Sequence, residues 1–371
     1  MIKTDFTSLT HEIGPGFAER AAKHDSDDSF VAENYQELKA HRFFSAGVPG
    51  ELGGGGASHA ELCDMLRTMA HYCSSTALAL SMHTHQVAVP AWRWRNQENA
   101  PVEGLLRRVA DEELVLVSTG GSDFLAGSGE AVKADGGFRV NARKIFSSGS
   151  PSGDLLMTMA LYDDPAEGRV VLHFPLSLKA EGVRVMDNWR AMGMRGTGSH
   201  DVVIDGAFIP EESVAGRRPP GKWVGLFHIV AAQALPLIYS VYVGIAESAR
   251  NLAIEKAAKK RDELDVQLLA GEMENELRTA QIALESSIDM AATGTPGPEL
   301  TNEILIRRTL AGNAAIRTVE KAMELAGGAA YFRSSGLERL FRDVQAARYH
   351  PLHEKRQHLH SGRQALGLPV D

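Results

Sequence analysis

Residues 114–149 read LVLVSTGGSDFLAGSGEAVKADGGFRVNARKIFSSG, and here the chain changes period. Leu114–Val117 and Gly137–Val140 are short apolar or alternating runs, separated by Gly, Asp and Ser, of the kind that form half-buried strands. The pattern continues through Leu155–Leu161, Val170–Phe174, Val183–Val185 and Val202–Ile204, and closes at Pro210. No helix of useful length fits between these runs. βαβ units are therefore excluded, and an antiparallel barrel or sandwich is expected.

On both sides the period is helical. Before the strands, Leu9, Ile13 and Phe17 recur at helical spacing, as do Tyr35, Leu38 and His41. A glycine-rich loop, Gly47–Gly56, interrupts them; it lacks the Lys-Ser/Thr of a P-loop and the strand–helix setting of a dinucleotide fingerprint. A largely apolar helix is expected over Ala57–Leu80, with a break at Ser81–Gln86. After the strands come three long amphipathic runs, Val230–Lys259, Leu264–Ala292 and Thr301–Leu325, the last stopping at Gly327-Gly328. Long helices with short connections predict a four-helix bundle. The fold class is thus α+β, in three domains: helical over 1–113, an antiparallel β-barrel domain over 114–215, and a helical bundle over 216–371.

Composition narrows the function. A net charge of -8 argues against a general nucleic-acid binder, and no apolar run reads as a membrane span. The two cysteines, Cys63 and Cys73, lie ten apart with no CxxC, so they read as buried apolar residues in a cytoplasmic protein. His83 and His85 are candidate substrate-pocket residues; two histidines alone are a weak metal pattern, and no metal is expected.

The richest titratable stretch is Ser335–Gly367, with His350, His353, His358 and His360 among many cations. The i, i+3 spacing of His350 and His353 predicts two rings on one face of a helix start, a plausible wall of an active site. His358 and His360 read as part of a solvated basic face.

The order of segments resembles the acyl-CoA dehydrogenase superfamily over nearly the whole chain. Val48–Gly54 resembles its loop after the first helices, and Thr119–Asp123 its flavin-binding turn. Asn141–Gly149 is similar to its strand against the flavin ring; Trp189–Ser199 and Phe208–Pro210 resemble the end of its β domain. Leu325–Gly328 and Leu337–Asp343 resemble its last helices. The resemblance implies a flavin, FAD or FMN, with Ser118, Thr119, Gly121, Ser122, Phe146, Ser148, Gly327 and Gly328 around it. It also implies a homodimer or homotetramer built through the bundle.

Two departures qualify the chemistry. The family's common place for the carboxylate that removes an α-proton falls on Pro351, and the alternative place falls near Ala234; neither is acidic. The Arg-x-x-Phe-Gly segment that reaches a neighbouring flavin diphosphate is replaced by Lys260–Gln267. Meanwhile His350-Pro-Leu-His353-Glu354 is similar to the His-x-x-His-acid segment of the family's flavin-dependent monooxygenases. That branch takes reduced flavin from a separate reductase and oxygenates a small-molecule substrate through a flavin C4a-hydroperoxide, with His350 and His353 here as the donors. Two alternatives stay open: an acyl-CoA dehydrogenase with a relocated base such as Glu354, and a flavin-free scaffold.

Overall fold

Asp5 begins the helical part by accepting the Thr7 and Ser8 N–H groups (3.1 and 3.0 Å), which caps α1 (Phe6–Asp27). The computed structural model describes residues 4–121 and 123–370. After α1 come α2 (Ala32–Ala40), α3 (His59–Tyr72), α4 (Ser74–Asn96) and α5 (Glu103–Glu112). Ser58 and Glu61 form a reciprocal capping box at the start of α3. The expected single helix over Ala57–Leu80 is in fact two, because Cys73 adopts an extended backbone between α3 and α4. The break expected at Ser81–Gln86 does not occur; those residues lie within α4. Their side chains pack into the seam between helix and sheet, and tertiary burial keeps a weakly amphipathic segment helical.

Eight strands follow: β1 (Leu116–Ser118), β2 (Glu130–Ala134), β3 (Gly137–Lys144), β4 (Leu155–Asp164), β5 (Gly168–Ser177), β6 (Val183–Val185), β7 (Val202–Pro210) and β8 (Gly216–Arg218). They form one sheet in the order β6-β7-β3-β2-β4-β5-β8, with β1 beside β4. Most pairings are antiparallel as expected, but β1–β4 and the single Glu130–Leu161 bridge of β2–β4 are parallel. β1 is parallel because it enters from α5 rather than from a hairpin. Phe138, Val140, Leu156, Leu172, Phe174 and Ile204 fill the inner face.

The C-terminal helices are α6 (Gly225–Ala257), α7 (Leu264–Thr293), α8 (Pro298–Ala326), α9 (Leu337–Val344) and α10 (Glu354–Ala365). α6 is long and apolar enough to cross a membrane, but 94% of its apolar window is buried among its neighbours; it is the axis of the helical core. Gly244 lets α3 and α6 approach closely, since a Cβ there would fall 2.2 Å from the Arg67 carbonyl oxygen. The long helices α6–α8 make three sides of the bundle, and the broken pair α9–α10 closes the fourth. A separate apolar seam of Val48, Val87, Leu106, Leu114 and Leu116 ties α4 and α5 to β1. That seam brings the end of β1 against the middle of α4.

Candidate active site

Two glycines shape the turn that leaves β1. Gly120 has φ +96, and a Cβ there would lie 2.9 Å from Cε of Met159. Gly121 is open on the side that faces Phe146, whose ring would be 3.9 Å from its Cβ. Lys144, fully buried at the end of β3, pins the turn: its Nζ donates to the main-chain oxygen and hydroxyl of Ser128, both at 2.8 Å, and lies 3.6 Å from Asp123. The Thr119 hydroxyl donates to Met157 O on β4 (3.0 Å), which turns it toward the sheet. Ser122 lies outside the described residues.

Phe146 follows β3 at φ +57, a left-handed conformation uncommon for an aromatic residue. Its ring is 51% exposed, edge-on to Trp189 at 5.9 Å. A half-exposed aromatic plane, held in a left-handed conformation beside a glycine turn, suits a flat heteroaromatic ligand. Behind it Ser148 Oγ lies 2.7 Å from Ser199 Oγ, and Ser199 Oγ lies 2.7 Å from Thr197 Oγ1. These features fit the ring of a flavin.

The second half of the site is a set of histidines and tyrosines. In α4, Nδ1 of His85 is 3.1 Å from Ser81 O, and a carbonyl only accepts, so Nδ1 carries the proton and Nε2 is the acceptor. That Nε2 is 3.1 Å from both Ser118 Oγ and Gln86 Nε2. Burial lowers the pKa of His85 to about 4, so its ring is neutral. From α6, the Tyr242 hydroxyl lies 2.5 Å from Nε2 of His350, whose ring also packs against Tyr239. Burial, then the charge of Arg308, then His85 bring the pKa of His350 to about 3. The fold therefore places His85 and His350 in one electrostatic neighbourhood.

Arg308, from the middle of α8, is buried and has no carboxylate partner among the described residues. Its Nη2 donates to His350 O (2.7 Å) and Ala347 O (3.3 Å), and its guanidinium lies 5.0 Å from the Tyr239 ring centroid. Tyr239 donates to the same Ala347 O at 2.7 Å. Three bundle side chains thus grip the segment that carries His350.

Several sequence expectations need correction. His350 and His353 do not share a helix face: α10 begins at Glu354, His353 is its exposed N-cap residue, and His350 lies in the bend before it. Pro351 has no N–H to continue a helix from residue 347. His83 is 1% exposed with both ring nitrogens engaged, donating to Phe44 O (2.7 Å) and accepting from Leu116 N–H (2.9 Å). It clips β1 to α4. His360 is buried rather than solvated, facing Trp223 and His228, while His358 is exposed as expected. Gly327 and Gly328 form an exposed turn after α8 with open space around them.

Sequence reading missed Tyr242, Arg308, Gln86 and Ser199. Nothing local marks them; Arg308 is one of many cations in amphipathic helices and is distinguished only by its burial. Two carboxylates of the C-terminal helices are committed to other partners. Glu354 accepts from Asn313 (3.1 Å), and Glu247 in α6 is held by Arg67, His71 (2.9 Å) and Gln281 (2.6 Å). Among the described residues no cluster of three metal-ligating side chains occurs.

Three family models match the chain in series. They are the acyl-CoA dehydrogenase N-terminal domain over residues 12–111, middle domain over 118–207 and C-terminal domain over 237–355. Putative acyl-CoA dehydrogenase YdbM of Bacillus subtilis (strain 168) is 28% identical over 365 residues, covering 91% of each chain. Amino sugar nitrososynthase DnmZ of Streptomyces peucetius is 28% identical over 361 residues, covering 91% of this chain and 87% of its own. The X-ray structure of KijD3 in complex with FMN and dTDP-3-amino-2,3,6-trideoxy-4-keto-3-methyl-D-glucose is 26% identical, with TM-score 0.90 over 98% of this chain and 93% of that one.

Proposed function

This chain belongs to the acyl-CoA dehydrogenase family of flavin-dependent enzymes, and from that premise we propose that it is a flavin-dependent monooxygenase. The observation that carries the reading is electrostatic. Where a dehydrogenase needs a free carboxylate, this site has Pro351, two neutral imidazoles and a buried arginine. A neutral imidazole can donate a hydrogen bond to oxygen and relay a proton, but these two, held by burial to about 4 and about 3, are weaker bases than the carboxylate a dehydrogenase uses. A buried arginine favours negative charge that develops nearby.

Reduced flavin, when bound, supplies two electrons to O2; with two more from the substrate, one oxygen atom enters the product and the other leaves as water. Phe146 and the Gly120–Gly121 turn would hold the ring, with Ser118 and Ser148 at its polar edge. His350 would orient oxygen and return the proton, held in place by Tyr242 and Arg308. His353, at the exposed rim, would relay protons to solvent. His85 would hold Ser118. The substrate is a small molecule with a nucleophilic nitrogen or sulfur, a class that includes the amino sugar in the name of DnmZ.

A separate reductase would deliver the flavin. A homodimer or homotetramer through the bundle is supported by exposed apolar side chains on α7 and α8 (Leu264, Leu268, Leu310) and beside the Gly327 turn (Tyr331, Phe332). Gly327 and Gly328 would meet a neighbouring subunit's flavin there.

The test uses the protein with FMN and no substrate. Reduced FMN is mixed with protein and oxygen, and release of hydrogen peroxide is timed. Wild type should release it slowly, and His350→Ala at least about tenfold faster, the loss of one charge-assisted contact. Equal rates would contradict the assignment of His350.

A further inference from the structure

We propose that Thr197 and Ser199 set which redox state of the flavin this site prefers, by fixing Ser148 as a hydrogen-bond acceptor. The inference rests on the reading above that Ser148 meets the flavin ring. Three hydroxyls stand in line, and each has one proton to give. Thr197 Oγ1 donates to Met194 O at 2.8 Å. Its proton is then spent, so in the 2.7 Å contact between Thr197 and Ser199 the donor is Ser199. Ser199 is spent in turn, and in its 2.7 Å contact with Ser148 the donor is Ser148.

Ser148 is left with lone pairs alone to offer a ligand. The opposite direction leaves Thr197 Oγ1, which is 0% exposed, with no donor, and leaves the Ser148 proton without a partner. Met194 O also accepts from Trp189 Nε1 and Thr197 N–H, both at 3.1 Å, and the hydroxyl is its shortest contact. The anchor itself is fixed: Met194 has φ +53, and its N–H donates to the buried Asp343 carboxyl at 2.5 Å.

A flavin's redox-active ring nitrogens are acceptors when oxidised and carry N–H when reduced. An acceptor-only Ser148 matches the reduced ring and leaves two lone pairs facing each other against the oxidised one. Thr197 and Ser199 do not touch the ligand; they are positioning residues. They would make the site take up flavin already reduced and release it once oxidised.

The experiment measures the dissociation constants of oxidised FMN and of anaerobically reduced FMN on the full chain. Wild type should bind reduced FMN more tightly. Thr197→Val is close in size and removes the anchor, so Ser199 turns its proton toward Ser148, and Ser148 becomes free to donate. The preference for reduced FMN should fall by about fivefold, one neutral hydrogen bond. The midpoint potential of bound FMN should then drop by about 20 mV. Ser199→Ala should do the same, and it carries the test if Thr197→Val does not fold. Thr197→Ser keeps the hydroxyl and should keep the wild-type ratio.

A ratio unchanged in Thr197→Val or Ser199→Ala overturns the proposal. So does a Thr197→Ser protein that behaves like Thr197→Val, or a wild type that prefers oxidised FMN. Failure of wild type to bind either form overturns the flavin reading first, and this inference with it.

Discussion

Phe146 shows what a single residue can disclose and what it cannot. Its place after an alternating strand was legible, but its left-handed backbone and half-exposed ring depend on the turn made with His200 and Thr197. The left-handed conformation costs about 1 kcal/mol in a non-glycine residue. Phe146→Gly should therefore leave the stability of the flavin-free protein within about 1 kcal/mol of wild type. FMN affinity should fall at least about tenfold, as for loss of an aromatic contact. Thermal melting and fluorescence titration read the two effects separately. Arg308 gives a second prediction, through pH. His350 has a folded pKa of about 3 against an ordinary 6.5, so the unfolded chain binds a proton that the fold refuses. Its contribution to stability is complete above pH 6.5 and is lost as pH falls toward 3. Burial is the first cause, Arg308 the second and the charge of His85 the third, and Tyr242 and Tyr239 face the ring. Arg308→Met should flatten the loss of denaturation midpoint between pH 5 and 3, Arg308→Lys should retain it, and in a His350→Asn background the two should coincide. Parallel curves for Arg308→Met and wild type count against the role.

At the scale of elements, the sequence marked the long helices within a few residues, because their apolar periods are sustained over many turns. It misplaced the interior of α4, where small and polar residues are buried by neighbours that no local pattern reveals. It also missed β2 and β8, the second only three residues long, too short to show a period. The last segment was the hardest to read. His350 is held by main-chain and ring contacts from α6 and α8, and α10 docks through Gln357 and His360. The junction of α3, α6 and α7 is held by Glu247. Burial alone would push its pKa up, but hydrogen bonds from His71 and Arg67 overcome this and bring it down to about 2. Its stabilisation is present above pH 4.5 and lost as pH falls toward 2. Glu247→Ala should cost about 3 kcal/mol, since it strands a half-buried arginine. Urea unfolding at pH 7 measures this directly, and a change under 1 kcal/mol would place the charge pair closer to solvent than its geometry indicates.

For the whole molecule, the α–β–α order followed from periodicity alone, and the family from motifs spread along the chain. The candidate site was only partly legible, because it is assembled from α4, β1, the loops after β3 and β6, α6, α8 and the segment before α10. Residues from that many elements meet through packing, and spacing in sequence says little about it. On the function proposed above, the same assembly serves to activate oxygen rather than to dehydrogenate a thioester. If the site activates oxygen, none of its described residues removes a proton so that substrate can reduce the flavin. The most direct test is anaerobic: the protein is loaded with oxidised flavin, mixed with a panel of acyl-CoA thioesters, and its visible flavin band is followed. The band should persist with every thioester, while chemically reduced flavin on the same protein should be reoxidised when oxygen is admitted. Bleaching by any thioester without added reductant would contradict it, and would mean that a carboxylate, with Glu354 the first to examine, takes the proton after all.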